Sequence, residues 1–358
     1  MIMRIGMLTS GGDCQALNAT MRGVVKGLCN SVENPEIFGF ENGYEGLIYG
    51  KYRLMSKRDF SGILTIGGTI LGTSRQPFKM MTVPDENGLD KVKAMKDTYY
   101  KLNLDCLVIL GGNGTQKTAN LLRTEGLNII HLPKTIDNDI YGTDFTFGFQ
   151  SAIDIATHTI DCIHTTAASH NRVFIVEVMG HKAGWLTLYS GIAGGADIIL
   201  IPEIPYDINK VAEAIQKRMH EAKPFTILAV AEGAISKEDA ALSKKEYAKK
   251  VAERKHPSIS YEIADQLTKM TGSEVRVTVP GHMQRGGAPD PYDRVLSTRL
   301  GAAAAEAILD KQYGIMIGMV NNKTKRIPLE DCAGKLKTVD PESHIIKEAE
   351  MTGISFGI

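Results

Sequence analysis

Short apolar runs that end in glycine-rich loops and lead into helical stretches restrict the fold of this chain more than any other feature. Ile5–Thr9 is closed by Ser10-Gly11-Gly12-Asp13 and followed by a helical stretch to about Leu28. Leu104–Leu110 is closed by Gly111-Gly112-Asn113-Gly114-Thr115 and leads into a helix ending near Gly126. Further strand candidates are Asn128–Leu132, Arg172–Val178, Ile198–Ile201, Phe225–Ala231 and Val275–Val279. The segment Asp207–Lys223 opens on an N-cap residue and sets Ile208, Val211, Ala212, Ile215 and Met219 on one helical face. Such alternation predicts an α/β fold with mostly parallel sheets and helices on both faces, not a sandwich. At about 150 residues per domain, 358 residues make two such lobes. Ser236–Ser258 stands apart as a polar Lys/Glu/Ala-rich insert, expected to be an exposed helix or a mobile loop.

Charge excludes some partners. With 41 basic and 41 acidic side chains the net charge is zero, so no bulk attraction draws the chain to nucleic acid or to an anionic membrane. No stretch reaches the roughly 18 apolar residues that span a bilayer. Cys14, Cys29, Cys106, Cys162 and Cys332 are scattered without a C-x-x-C, which reads as reduced thiols and not as a disulfide framework or zinc site. The start, Met1-Ile2-Met3-Arg4, shows no apolar leader. A soluble, cytoplasmic protein is the expectation.

In open α/β sheets ligands bind outside the carboxyl ends of strands. Four punctuated loops fall there: Thr9–Asp13, Gly67–Arg75, Gly111–Thr115 and Pro133–Asp139. Glycines let backbone N–H groups approach phosphate oxygens, and a following helix N-terminus adds a positive dipole end. Gly111–Thr118 is not a P-loop, because Gln116 stands where the glycine before Lys117-Thr118 belongs. No G-x-G-x-x-G follows the first strand, which argues against a nicotinamide dehydrogenase. Asp137 and Asp139 flank Asn138, and in an extended segment residues two apart share a side, so both carboxylates would face one cleft. A base beside a metal ligand suits phosphoryl transfer to a hydroxyl. The competing assignment is an Asx-type turn that caps local backbone. Arg172, Arg276, His282, Arg285 and Glu232 have the chemistry of a sugar-phosphate pocket.

Taken in order, these motifs resemble the bacterial-type 6-phosphofructokinase family over nearly the whole chain. The landmarks are T-S-G-G-D at Thr9–Asp13, G-G-T-x-L-G-[ST]-x-R at Gly67–Arg75, G-G-N-G-T at Gly111–Thr115 and P-K-T-I-D-N-D-I at Pro133–Ile140. They continue with S-H-x-R at Ser169–Arg172, V-E-V-M-G at Val176–Gly180, A-E-G at Ala231–Gly233 and G-H-x-Q-R-G-G at Gly281–Gly287.

The resemblance implies two Rossmann-like three-layer α/β/α lobes with the active site in the cleft between them. Residues 1–148 plus about 283–335 would bind donor and magnesium, and 149–282 plus about 336–358 the sugar phosphate. It implies transfer of the γ-phosphoryl of ATP to the 1-hydroxyl of fructose 6-phosphate, with Mg²⁺ as cofactor. Asp137 then matches the general base and Thr135 a residue touching the transferred group. Asp139 and Asn113 match the magnesium shell, with Asn113 standing where ATP-using members usually carry aspartate. Gly12, Arg75, Gly112, Asn113, Gly114, Thr115 and Lys134 match the donor site. Met179, Gly180, His181, Glu232, Arg276, His282 and Arg285 match the sugar-phosphate site, His181 replacing a common arginine. Arg172 matches a residue that reaches a neighbouring subunit's sugar phosphate, implying a homotetramer or homodimer. Cys14 and Gln15 replace a small Ala-Pro pair. Of the arginines of the family's effector site Arg22 is kept, while Lys26 is a basic substitute and His164 stands at a usually basic position, so weak or absent allosteric control is expected.

Donor choice divides between two positions. Gly114 leaves room for a nucleotide, whereas Lys134 is of the kind that pyrophosphate users carry, and Thr118 sits where a glycine often lets adenine approach. ATP is the expected donor on steric grounds. The alternatives are a pyrophosphate-dependent enzyme, a kinase for a related ketose phosphate, and a non-catalytic binding subunit.

Overall fold

A computed structural model describes residues 2–221 and 225–358. The chain divides into two compact units, Met1–Ser151 with Arg285–Lys337, and Ala152–Gln284 with Thr338–Ile358.

The first unit is built on a seven-stranded sheet. Its strands are β1 (Arg4–Ser10), β2 (Glu36–Phe40), β3 (Tyr52–Met55), β4 (Cys106–Gly111), β5 (Ile129–Pro133), β10 (Ile315–Val320) and β11 (Lys323–Pro328), the numbering following the chain. The order is β11-β10-β5-β4-β1-β2-β3, parallel except for the two edge pairs β2–β3 and β10–β11. The central strands are buried on both faces, as their continuous aliphatic runs require. From β1 the chain passes to β2 on one side and then returns to β4 on the other. The carboxyl ends of β1 and β4 therefore form a switch point, where two loops diverge and leave a crevice. The helices Leu17–Ser31 and Pro291–Leu309 pack so closely that a Cβ at Gly301 would lie 2.7 Å from Gly23 Cα.

The second unit carries a four-stranded parallel sheet of β6 (Val173–Val178), β7 (Ile198–Leu200), β8 (Thr226–Ala231) and β9 (Val275–Thr278), in the order β7-β8-β6-β9. Its core is aliphatic: Ile175, Ile198, Leu200, Leu228 and Val230 meet Val211, Ile215, Ile263 and Leu267 of the flanking helices.

Mixed α/β architecture with mostly parallel sheets is therefore what the chain forms, and several local expectations change. The helix expected over Asp207–Lys223 runs Ile208–His220, with the Asp207 carboxylate accepting from Asn209 N; Lys223 lies outside the described residues, as does Met1. Met219, expected on its buried face, lies in the helix's last turn and is 51% exposed, its sulfur accepting from the Ser273 hydroxyl at 3.6 Å. The insert settles as two helices, Lys237–Ala240 and Lys244–Ala252, capped by Ser236 and Ser243 and tied by Lys250 to the buried Asp239 at 2.5 Å.

Candidate active site

At the first unit's switch point the loop after β1 is held open by its neighbours. Gly11 takes φ +88°, accepts from the Thr73 hydroxyl at 2.6 Å and donates its N–H to Ser74 O at 3.0 Å. Residues 73–74 thus bring Arg75 beside the loop with its side chain exposed. After β4, Gly112 is the N-cap of the helix Asn113–Thr124, whose first turn carries no acidic residue. That end is an anion-favouring pole. Gly114 lies exposed in this turn, and a Cβ built on it would have no atom within 4 Å. Thr115 anchors the turn, its hydroxyl donating to Ser10 O at 3.3 Å and its carbonyl accepting from Tyr44 at 2.8 Å. Gln116 is buried against Met316 and Cys332, so no P-loop can form here.

Two cations converge on the β1 loop. The buried Lys134 ammonium donates to Gly12 O, and Arg285 Nη1 donates to Asp13 O at 2.9 Å. A Cβ at Gly12 would stand 3.0 Å from that Nη1, so any larger residue here would crowd the guanidinium. Burial lowers the pKa of Lys134, with the nearby Arg285 charge acting in the same direction. Arg285 Nε is buried with no partner. Arg285 thus lies on the glycine loop of the first unit. Cys14, next in the loop, is fully buried, and burial pushes its thiol up to about 12, so it remains neutral.

The segment after β5 is not extended. Asn138 takes φ +51°, in the left-handed region that Asn tolerates better than most residues. Its side chain is buried, donating to Asp144 O at 3.2 Å and accepting from Thr146 N at 3.1 Å. Ile136, Asn138 and Ile140 point inward while Asp137 and Asp139 remain partly exposed. The two carboxylates therefore share accessibility through a buried turn, and not through the extended geometry the spacing suggested. The Asx-type role and the paired carboxylates coexist, carried by different residues. The Asp137 backbone N–H donates to the Thr135 hydroxyl at 3.1 Å, tying the Thr135 side chain to the start of the turn. Asn113 Nδ2 donates to Asp139 Oδ2 at 2.8 Å, and Asn113 Oδ1 is buried without a hydrogen-bond partner.

In the second unit the loop after β6 is held by a carboxylate. Glu232 Oε1 accepts from His181 N at 2.8 Å and Gly180 N at 3.3 Å. Gly180 and His181 both have positive φ, +148° and +51°. Met179 N donates to Gln284 Oε1 at 3.3 Å, while Gln284 Nε2 donates to Gly281 O at 3.1 Å, shaping the turn that exposes His282. Arg172 and Arg276 are elsewhere. Both bind Glu274, Arg172 at 2.6 Å. Arg276 pairs with Phe174, four residues before Val178, hence about 13 Å along β6 from its carboxyl end at 3.3 Å per residue. Arg276 therefore joins Arg172 within this chain, not Met179–His181 and Glu232.

The model of the phosphofructokinase family matches residues 4–308. The chain belongs to the phosphofructokinase family. It is 55% identical to the ATP-dependent 6-phosphofructokinase of Spirochaeta thermophila over 98% of this chain and 97% of that one. It is 47% identical to ATP-dependent 6-phosphofructokinase 3 of Bacteroides thetaiotaomicron over 99% of this chain and all of that one. Among solved structures, Pichia pastoris phosphofructokinase in the T-state superposes with a TM-score of 0.79 at 33% identity over 93% of this chain. This chain spans 35% of the length of that yeast chain. The pyrophosphate-dependent phosphofructokinase of Marinobacter aquaeolei shares the fold, with a TM-score of 0.79 at 20% identity.

For a phosphofructokinase-family chain, several supporting residues escaped sequence reasoning. Gln284 and Glu274 sit inside or beside recognised motifs, yet only tertiary contacts show what each holds. Lys337 donates to Thr143 O at 2.8 Å and Asp144 O at 2.7 Å, while its own N–H donates to Asp139 O at 2.9 Å. Burial pulls its pKa down to about 8. No local pattern marks it. Among the described residues no helix is long and apolar enough to cross a membrane.

Proposed function

We propose that this chain is an ATP-dependent 6-phosphofructokinase that phosphorylates the 1-hydroxyl of fructose 6-phosphate to give fructose 1,6-bisphosphate in glycolysis. The observation that carries the donor assignment is Gly114, which leaves clear space above the helix turn where a side chain would stand. The full-length likeness to relatives named ATP-dependent enzymes supports the same reading.

In this reading the first unit binds the donor and the second the sugar phosphate. Asp137, partly exposed and set beside the Thr135 hydroxyl, accepts the proton of the attacking hydroxyl. Gly12, Gly112, Gly114, Thr115 and the helix pole receive the donor phosphates, with Lys134 and Arg285 opposing the charge that develops on transfer. Arg75 reaches the same phosphates from its exposed position.

Asp139 and the orphaned Asn113 Oδ1 form a hard-oxygen pair that fits Mg²⁺, which commonly takes one or two protein oxygens and completes its shell with water and substrate phosphate. When bound, the ion would neutralise donor charge. Met179, Gly180, His181, Glu232 and His282 address the sugar phosphate. Arg172 and Arg276, clustered apart from that loop, serve the sugar phosphate of a neighbouring copy in a homotetramer or homodimer. Five free thiols fit a reducing cytoplasm.

Lys134 favours a second reading, with pyrophosphate as donor, since a buried ammonium can serve either terminal phosphate. Purified protein assayed with fructose 6-phosphate and Mg²⁺ should turn over with ATP at least about tenfold faster than with pyrophosphate. Turnover with pyrophosphate alone would reverse the assignment, and none with either donor would leave a binding subunit. Comparing kcat/KM for tagatose 6-phosphate and sedoheptulose 7-phosphate tests the sugar.

A further inference from the structure

The stretch that carries Asp137 ends where the helix Phe149–His170 begins, and a buried carboxylate from another element grips that junction. Asp293, in the first turn of Pro291–Leu309, is fully buried. It accepts from Gly148 N at 3.0 Å, Ser151 N at 2.9 Å and the Ser151 hydroxyl at 2.6 Å. Working back along the chain, Phe147 donates its N–H to Pro133 O at 3.3 Å, and its carbonyl accepts from the Cys14 thiol at 3.6 Å. Thr146 donates its hydroxyl to Thr135 O at 2.8 Å and its N–H to Asn138 Oδ1 at 3.1 Å. Thr135 and Asn138 flank Asp137. The same short brace thus joins Asp293 at one end to the turn bearing Asp137 at the other.

We propose that Asp293 is a positioning residue for phosphoryl transfer: its carboxylate fixes the 146–151 junction, and Thr146 passes that constraint to the turn that aims Asp137. The inference rests on Asp137 acting as the base. An ionised carboxylate suits the post because it accepts all three donors, and charge-assisted bonds at a helix N-terminus are strong. An amide in its place would turn one donor against the N–H groups and leave a buried bond unmade.

The brace should also respond to pH. Burial pushes Asp293 up to about 6, with the Asp290 charge adding to the rise and the Ser151 and Gly148 donors opposing it. Asp290 also accepts from Asp293 N at 2.7 Å. Tyr292 lies next to it in sequence, and across the interface Cys14 stays neutral, backed by Lys134 and Arg285. Because the folded-state value lies above the ordinary one, the fold favours the protonated form. Stability from this group is present at low pH and given up as pH rises through about 6, while the full set of acceptors exists only above it.

Asp293→Asn and Ser151→Ala test this. At pH 8, Asp293→Asn should lower kcat at least ~10-fold with the sugar KM within about threefold, and Ser151→Ala, losing one bond of three, about 2–3-fold. The wild type should lose kcat as pH falls through about 6, where Asp293 takes up its proton, and Asp293→Asn should lack that step. A packing role alone would move neither that step nor the split between kcat and KM, and that result overturns the proposal. Amide exchange needs no turnover, so it separates failure of this inference from failure of the proposed activity. After correction for intrinsic rates, Gly148 and Ser151 should exchange at least ~10-fold faster in Asp293→Asn than in the wild type at pH 8, and Gly148 about 2–3-fold faster in Ser151→Ala. Protection of Gly148 in Ser151→Ala equal to that in the wild type refutes the brace even where the Asn variant does not fold.

Discussion

The glycine loops of the seven-stranded sheet and the arginine pair of the four-stranded sheet handle positive charge in opposite ways. Lys134 is buried, and it and Arg285 are both fixed on backbone carbonyls of the loop they serve. Arg172 and Arg276 stand more open, with side chains 28% and 57% exposed, and are balanced by a side-chain carboxylate, Glu274. The Arg172 guanidinium, followed by Arg276, holds Glu274 below the usual carboxylate range. A carbonyl carries no formal charge to compete for the cation, so under the proposed function the first arrangement would keep its electrostatic strength for a phosphate. In the second arrangement a carboxylate already occupies the arginines, and a phosphate would have to displace it. On that reading only the first is preorganised.

Breaking the preorganised side should have the largest effect. Asp137→Asn, nearly isosteric but unable to accept a proton, should lower kcat about 10²–10⁴-fold while leaving the sugar KM within about threefold. Steady-state kinetics check it, and an equal rise in KM would place Asp137 in binding.

Gly114→Asp comes next. Filling the open space should cut kcat/KM for ATP by about 100-fold and spare any pyrophosphate activity. Thermal stability should hold or rise slightly, because nothing lies within 4 Å of the new Cβ and an acid in the first turn suits the helix pole. A melting curve alongside the donor assay separates the two effects.

On the exposed side, Arg276→Ala should raise the sugar KM about tenfold with a smaller change in kcat. A fall in kcat larger than the rise in KM would move Arg276 into the chemistry. Glu274→Gln should have the smallest effect and the opposite sign, lowering the sugar KM about 2–3-fold by freeing both guanidiniums, most clearly at low ionic strength. A raised KM would show that Glu274 orients the arginines more than it competes for them.

How much was legible depended on where the information is local. The central strands were readable because a parallel strand covered on both faces must be a continuous apolar run, as Cys106–Gly111 and Val173–Val178 are. The edge strands were not picked out. Tyr52–Met55 is largely exposed and Lys323–Pro328 polar, and both pair antiparallel at the ends of the sheet. Asn321 and Asn322, both with positive φ, join Ile315–Val320 to Lys323–Pro328 in a two-residue hairpin, a signal present in the sequence and not used. Met219 shows the limit of periodicity: a repeat of 3.6 gives the face of a helix but not how far its neighbours extend.

By itself the sequence determined the alternation of strand and helix, the glycines that let backbone approach a ligand, and the identities of the side chains able to do phosphate chemistry. These are properties of single residues and short periods, which act wherever the chain goes. Only the tertiary structure decided which of them meet. It placed Arg285 on the β1 loop, Arg276 beside Arg172, Asn138 inside the turn and Asp293 beneath the start of a helix. Each placement joins residues far apart in the chain or fixes a side chain's direction through contacts that no local pattern contains, because the energy that selects it comes from burial and hydrogen bonds closed only when the sheets assemble.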